Sequence, residues 1–153
     1  MLHSDPLEML ADAVGSVTFG WADTGVFYAR FSRCLSAKTG EAFAARLRST
    51  ARIGMRFKYF ADARALESYD LTARSAFVRV VGEHRRLFEQ IHILAWRDGE
   101  VSRAFVEALG EPVCVTRDSF EFEAKLMSAA PRARATLAAK PESPHRTRWP
   151  LRR

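Results

Sequence analysis

The sequence predicts an α/β fold: a mixed β-sheet of about five strands with helices packed against it. Three observations predict it. Two apolar runs of period two, near residues 16–21 and 26–31, flank an Asp- and Gly-containing turn and read as a hairpin. Downstream, short apolar runs alternate with segments whose apolar residues recur every three or four positions, the pattern of strands joined by crossover helices. Of the 153 residues, 48% are apolar, which suffices for one core in a chain this long.

Each element follows in order. Asp5 and Pro6 suit the cap and first position of a short N-terminal helix within residues 1–14, with Leu7, Leu10, Ala11 and Val14 on one stripe. In the hairpin, Val17, Phe19 and Trp21 share a face. Phe27, Ala29 and Phe31 then alternate with Val26, Tyr28 and Arg30. Residues 36–53 read as a helix, because Phe43, Leu47 and Ala51 are spaced by four and Gly54 suits its end. Residues 55–61 form a third strand, and an acidic, polar loop follows to Asp70. Asp70 or Ser68 caps a helix that runs to about Arg86, with Phe77, Val80, Val81 and His84 inward.

Residues 91–96 are nearly all apolar, as in a strand covered on both faces. Asp98 caps a further helix with Val101, Phe105, Ala108 and Leu109 inward, and Gly110 ends it. Val113-Cys114-Val115 is a short strand. Asp118 and Glu121 have capping-box spacing for a last helix in which Phe120, Ala124 and Met127 line up. Pro131 then ends the fold. The expected division is an N-terminal helix over 1–14, a domain over 15–130 and a flexible tail over 131–153.

Charge is unevenly placed. Residues 131–153 hold seven bases against one acid, Glu142, so the whole net charge of +6 sits there. Within that tail Arg146, Arg148, Trp149, Arg152 and Arg153 interleave cations with an aromatic ring. Such a segment binds anionic surfaces or nucleic acid by phosphate contacts and stacking.

Enzyme chemistry finds little support. The histidines His3, His84, His92 and His145 have no metal-ligand spacing, and there is no Gly-x-Ser-x-Gly or P-loop. We therefore expect no catalytic residue, no metal and no cofactor. Cys34 and Cys114 are expected as reduced, buried thiols. Asp62, Glu67 and Asp70 read as a solvated acidic loop rather than an acid/base pair. No run approaches the roughly 18 apolar residues of a membrane span, and the start lacks a signal-peptide pattern. A cytoplasmic location is the expectation.

The succession over about residues 15–127 resembles a STAS domain, and more closely the SpoIIAA-like, STAS/SEC14-like branch. The carriers are Val26-Phe27-Tyr28-Ala29-Arg30-Phe31-Ser32 with Leu35, then Phe60 through Asp70, then Ile91 through Trp96, and finally Val113 to Glu123. The resemblance implies a non-enzymatic bacterial regulatory module that acts by binding another protein, like the anti-sigma-factor antagonists. In those proteins an Asp-Ser pair opens the helix after the third strand, and phosphorylation of the serine breaks the complex. Here Asp70 falls on the aspartate and Leu71 on the serine. Leucine has no hydroxyl, so that switch cannot operate at this position. Thr72, one residue later, is the candidate phosphoacceptor.

The expected partner surface is Asp70, Thr72, Arg74, Arg79, Glu83 and Arg86. Exposed strand edges and a flat helix face also permit a homodimer. Two alternatives stand beside this reading. One is a SEC14-like binder of an apolar small molecule or lipid, with Phe27, Phe31, Phe57 and Phe77 lining a cavity. The other is nucleic-acid or anionic-surface binding through the tail.

Overall fold

The computed structural model describes residues 6–95, 109–110 and 113–138. Six strands form one sheet in sequence order: β1 (Glu8–Ala11), β2 (Gly15–Asp23), β3 (Val26–Leu35), β4 (Phe57–Tyr69), β5 (Phe88–Leu94) and β6 (Val113–Thr116). Strands β1 to β3 pair antiparallel, and β3 to β6 pair parallel. Helix α1 (Ala37–Ala51) links β3 to β4, and α2 (Leu71–Glu83) with a 3-10 turn (Arg85–Leu87) links β4 to β5. Helices α3 (Ser119–Ala129) and α4 (Ala133–Ala138) follow β6.

This order decides where the helices go. Right-handed crossovers between sequentially adjacent parallel strands place their helices on one face. Phe43 and Leu47 of α1 and Phe77, Val80 and Val81 of α2 accordingly share one core with Val17, Phe19, Phe27, Phe31, Phe57, Tyr59, Ile91 and Ile93. The opposite face is a second core. There Leu7, Ala22, Val26, Tyr28, Phe60 and Leu94 meet Phe122 and Leu126 of α3, with Ala130 and Ala133.

The hairpin, the helix capped by Ser36, the helix opened by Asp70 and the strand at Val113 form as the sequence predicts. The hairpin turns at Thr24-Gly25, where Gly25 has φ 71°, a conformation that suits a residue without Cβ. Ser36 Oγ accepts from the Thr39 amide at 3.1 Å. Its hydroxyl donates to Asp12, which also accepts from Thr39 Oγ1 at 2.9 Å and from the Val14 and Gly15 amides. That carboxylate ties the β1–β2 turn to the mouth of α1.

Four expectations need correction. The N-terminal segment is a strand at residues 8–11, not a helix, and so the sheet has six strands. So short a helix has little stability alone, whereas the free edge of β2 supplies backbone partners along Glu8–Ala11. Glu8 then reaches Arg46 of α1 at 3.2 Å. Second, β4 continues to Tyr69, so residues 61–69 are strand rather than loop. They pair with residues 29–35 of β3 through two register shifts.

Third, α3 turns Phe122 and Leu126 inward and leaves Phe120 85% exposed. Asp118 does cap the helix, its Oδ1 accepting from the Phe120 and Glu121 amides. The Asp118 amide donates to Thr116 Oγ1, however, and Glu121 accepts from Lys125 and Thr116, so the reciprocal half of the capping box does not form. Fourth, packing does not stop at Pro131. Ala133 is fully buried in the second core. The Arg132 backbone amide and guanidinium both donate to Asp23 beside the hairpin turn, at 3.0 and 3.1 Å.

The helix expected after Asp98, with Val101, Phe105 and Ala108, lies outside the described residues, as does Trp96. Leu109 is buried in the first core.

Candidate functional site

The mouth of α2 is built from the end of β4. The Asp70 amide donates to the Leu35 carbonyl at 2.9 Å, which fixes the cap residue to β3. Asp70 Oδ1 then accepts from the Thr72 amide at 2.8 Å, satisfying one of the free donors of the first turn. Leu71 takes the first helical position and is 69% exposed. Ala73, Phe77, Val80 and Val81 face the core. Ala76 and Val78 are half-buried against the same core, Arg74 is half-buried, and Leu71, Thr72, Ser75 and Arg79 are exposed.

Along that surface Leu71, Arg74, Ser75, Val78 and Arg79 line a shallow depression. Among the described residues, neither Arg74 nor Arg79 makes an ion pair. The six expected contact residues therefore divide. Asp70, Thr72, Arg74 and Arg79 gather at or beside this depression. Glu83 lies at the far end of α2, where it accepts from Arg48 Nε of α1 at 3.2 Å. Arg86 is exposed on the 3-10 turn. Thr72 is exposed. The sequence marked Leu71 only as the residue at the serine position and did not mark Val78, although Leu71 stands off the stripe of Phe77, Val80 and Val81.

The three acids do not form the solvated loop expected. Asp62 is 3% exposed and faces the second core. Its carboxylate accepts from the Arg64 amide, from Arg64 Nε at 3.0 Å and from Arg64 Nη2 at 2.8 Å. That pairing raises the Arg64 pKa, working against burial. Burial, with Asp62 nearby, also pushes the Tyr28 phenol up to about 12. Asp70 lies eight positions beyond Asp62 along β4 and its end, roughly 26 Å in extended chain, so the two carboxyls cannot share a proton.

Other candidates have structural places. His92 stacks on Phe60 with ring centroids 4.6 Å apart, and its Nε2 lies 3.0 Å from Gln90 Oε1. Burial, then Lys125 and Lys58, pull its pKa down. His84 follows the last residue of α2 and is half-buried. The cysteines are free and half-buried rather than buried. Cys34 Sγ accepts from Ser68 Oγ at 3.0 Å. Three strand spacings, roughly 14 Å, separate β3 from β6, too far for a disulfide with Cys114. Among the described residues no group of three or more His, Cys, Asp or Glu could hold a metal. No helix among them is long and apolar enough to cross a membrane.

One cavity lies under the mouth of α2. It is lined by Phe31, Leu35, Phe43, Tyr59, Leu66, Tyr69, Arg74 and Phe77, among others, and its volume is about 50 Å³. Of the four aromatics expected at such a site, Phe31 and Phe77 line it. Phe27 and Phe57 instead pack edge-on against Trp21, at 5.4 and 5.7 Å. A cavity of roughly 150 Å³ takes one benzene. A lipid chain would therefore require α2 to move outward. The tail residues Arg146, Arg148, Trp149, Arg152 and Arg153 lie outside the described residues.

No family model matches the chain, and no curated protein does. Solved structures do. An uncharacterised protein of the DUF3478 family from Shewanella loihica PV-4, described as having a SpoIIAA-like fold, superposes with a TM-score of 0.51 at 16% identity, over 82% of this chain and 99% of its own. The anti-sigma factor antagonist SpoIIAA, in its unphosphorylated form, gives a TM-score of 0.53 at 13% identity, over 73% of this chain and 97% of its own. The chain has a SpoIIAA-like, STAS-type fold.

Proposed function

We propose that this chain is a non-enzymatic regulatory module that binds another protein through the exposed face of α2, without the phosphoserine switch of the antagonists. The observation that carries the reading is Leu71. A large apolar side chain stands 69% exposed at the first position of α2, beside Val78 and two arginines without acidic partners among the described residues. What sets Leu71 apart from a lone exposed side chain is its neighbours: with the accessible part of Val78 it makes an apolar strip rimmed by cations, the kind of surface that marks an association site. The fold supports the reading by likeness, since SpoIIAA is an anti-sigma factor antagonist.

The chemistry of the mouth fits a permanent rather than a switched contact. A phosphate at a helix N-terminus finds free N–H groups and partial positive charge. Leu71 cannot accept one, and the Asp70 carboxylate already occupies the mouth. Thr72, exposed at the next position, is the acceptor left to a kinase. Intact-mass measurement of protein isolated from its host tests this, and a complete lack of a phosphate adduct at Thr72 excludes it.

Leu71→Asp tests the surface as a whole. A carboxylate in the first turn of a helix stabilises it by about 0.3–1 kcal/mol, so folding should be preserved or improved. Recovery of partners from the native host should nevertheless drop. Undiminished recovery, with a melting temperature at or above wild type, would remove α2 as the contact face.

A further inference from the structure

This inference rests on α2 being the docking face and concerns what the partner must carry. Leu71, Arg74, Ser75, Val78 and Arg79 form one strip, apolar at Leu71 and Val78 and cationic at Arg74 and Arg79. Four arginines have acid partners: Arg46 with Glu8, Arg48 with Glu83, Arg64 with Asp62 and Arg132 with Asp23. Arg30, Arg33, Arg52, Arg56 and Arg86 have none among the described residues, and none of these lines the strip. Arg74 and Arg79 have no such acid among the described residues. Exposed Leu71 and the accessible part of Val78, which is otherwise packed against the first core, lie beside these two cations, so the strip offers both charge and apolar surface to a partner.

Three occupants can be compared. The C-terminal segment of this chain carries seven bases against one acid, so it would set like charges against the strip. A second copy related by a two-fold axis would bring Arg74 and Arg79 against the same two residues, and like charges facing each other across an interface are costly. An acidic segment satisfies both features at once. We infer that the α2 face takes a helical protein segment whose apolar side chains cover Leu71 and Val78 while Asp or Glu residues pair with Arg74 and Arg79.

The geometry also sets the segment's length and direction. Leu71 and Val78 are seven residues apart, roughly 10.5 Å along the axis, so two turns of partner helix span the strip. Glu67 and Asp70 are exposed at the mouth, and Glu83 is neutralised by Arg48. Arg86 is exposed beyond the other end. The partner's acids thus fall over the middle and distal part of α2, and its end over the mouth is neutral or basic. Helix-in-groove binding of this type reads as anchors at spacings of three, four and seven.

The experiment places a photo-crosslinking p-benzoylphenylalanine at Ser75 of the full chain in its native host, with a second protein carrying the same group at Phe120 on the opposite face. The crosslinked partner peptide is sequenced. The expected peptide has apolar residues at helical spacing flanked by Asp or Glu. In an R74E/R79E background its yield falls by about tenfold or more, with a smaller loss for R74Q/R79Q and recovery when the partner's acids are changed to Lys. The melting temperature of each variant is measured alongside, and it should hold because neither arginine has an ion pair to lose. A Ser75 adduct to a peptide without acids, or one indifferent to R74E/R79E, overturns this inference and leaves α2 as the docking face. An adduct to nucleic acid or to a second copy of the chain overturns it too. Adducts to a protein from position 120 with none from position 75 would instead defeat the docking face itself.

Discussion

Helices α1 and α2 cross where Gly40 meets Ala73, and this contact sets how closely α2 can lie against α1. A Cβ added at Gly40 would stand 2.2 Å from the Ala73 Cβ and 2.8 Å from its Cα. Carbon atoms at rest sit about 3.5–4.0 Å apart. The obstructing atoms include backbone, so no rotamer change relieves them, and the two helices must separate. Overpacking of this kind costs about 1–3 kcal/mol. A 2.2 Å approach belongs in the upper part of that range, about 2–3 kcal/mol. Alanine returns up to about 1 kcal/mol of helix propensity over glycine, which leaves Gly40→Ala roughly 1–2 kcal/mol less stable. Gly82, near the end of α2, is the control, because a Cβ there meets nothing within 4 Å. Gly82→Ala should gain about 0.5–1 kcal/mol. In a domain of this size those values shift the melting temperature by about 2–4 °C per kcal/mol. Urea unfolding followed by circular dichroism reads both, with an unchanged slope marking an effect on stability alone. A Gly40→Ala protein as stable as wild type would refute the close crossing, and a clear loss in Gly82→Ala would refute the open one.

Three other outcomes can be measured on the same material. The Tyr59 hydroxyl is fully buried with no hydrogen-bond partner among the described residues, and burial pushes its pKa up. Tyr59→Phe should therefore raise stability by about 1 kcal/mol, and a loss of similar size would reveal a bond to that hydroxyl. A chain ended after Ala130 should be about 1–2 kcal/mol less stable than one ended after Ala138, since only the longer chain keeps Ala133 and the Arg132–Asp23 pair; equal urea midpoints would contradict this. Acid should act in two steps. Burial, with Lys125 and Lys58, depresses the pKa of His92, so the unfolded chain takes up that proton first, and stability begins to fall below about pH 6.5. Asp23 is held low chiefly by the Arg132 amide. Asp12 is pushed up by burial but pulled lower overall by Ser36, Val14, Thr39 and Gly15. Their contribution is full above about pH 4 and is lost as pH drops through the lowered values. Melting temperatures at pH 7.5, 5.5 and 3.5 should descend at both steps, and His92→Gln should flatten the first.

The hairpin, both crossover helices and the caps of two helices were legible because they depend on local signals: alternation in Val17–Trp21, spacing by four in Phe43–Ala51, and a side-chain oxygen at Asp70 and Asp118. What escaped depends on distant partners. Leu7, Leu10, Ala11 and Val14 fit a helical stripe in isolation, and only the open edge of β2 makes the segment a strand. Arg64, Glu67 and Ser68 read as loop because they are polar. They are polar because this stretch of β4 leaves the core, where residues 64, 65, 67 and 68 are exposed. Phe120 looked like an anchor of α3, yet the helix is rotated by the burial of Phe122 and Leu126 against Phe60 and Leu94. Arg132 gave no local hint of Asp23, which is 109 residues away.

The correction at β4 bears directly on function. A flexible approach to α2 would have to be ordered whenever a partner bound, at roughly 1–2 kcal/mol of backbone entropy per residue. Residues 61–69 are instead laddered to β3, and the Asp70 amide is tied to Leu35. Leu71, Arg74 and Arg79 thus stand on a helix whose start is already fixed to the sheet, and the ordering cost is met when the chain folds. With no hydroxyl at position 71 for a phosphate to act on, and no loop there to collapse, the face on α2 is presented continuously. If α2 is the docking face proposed, its regulation would come from the supply of its partner, or from Thr72 one residue further in.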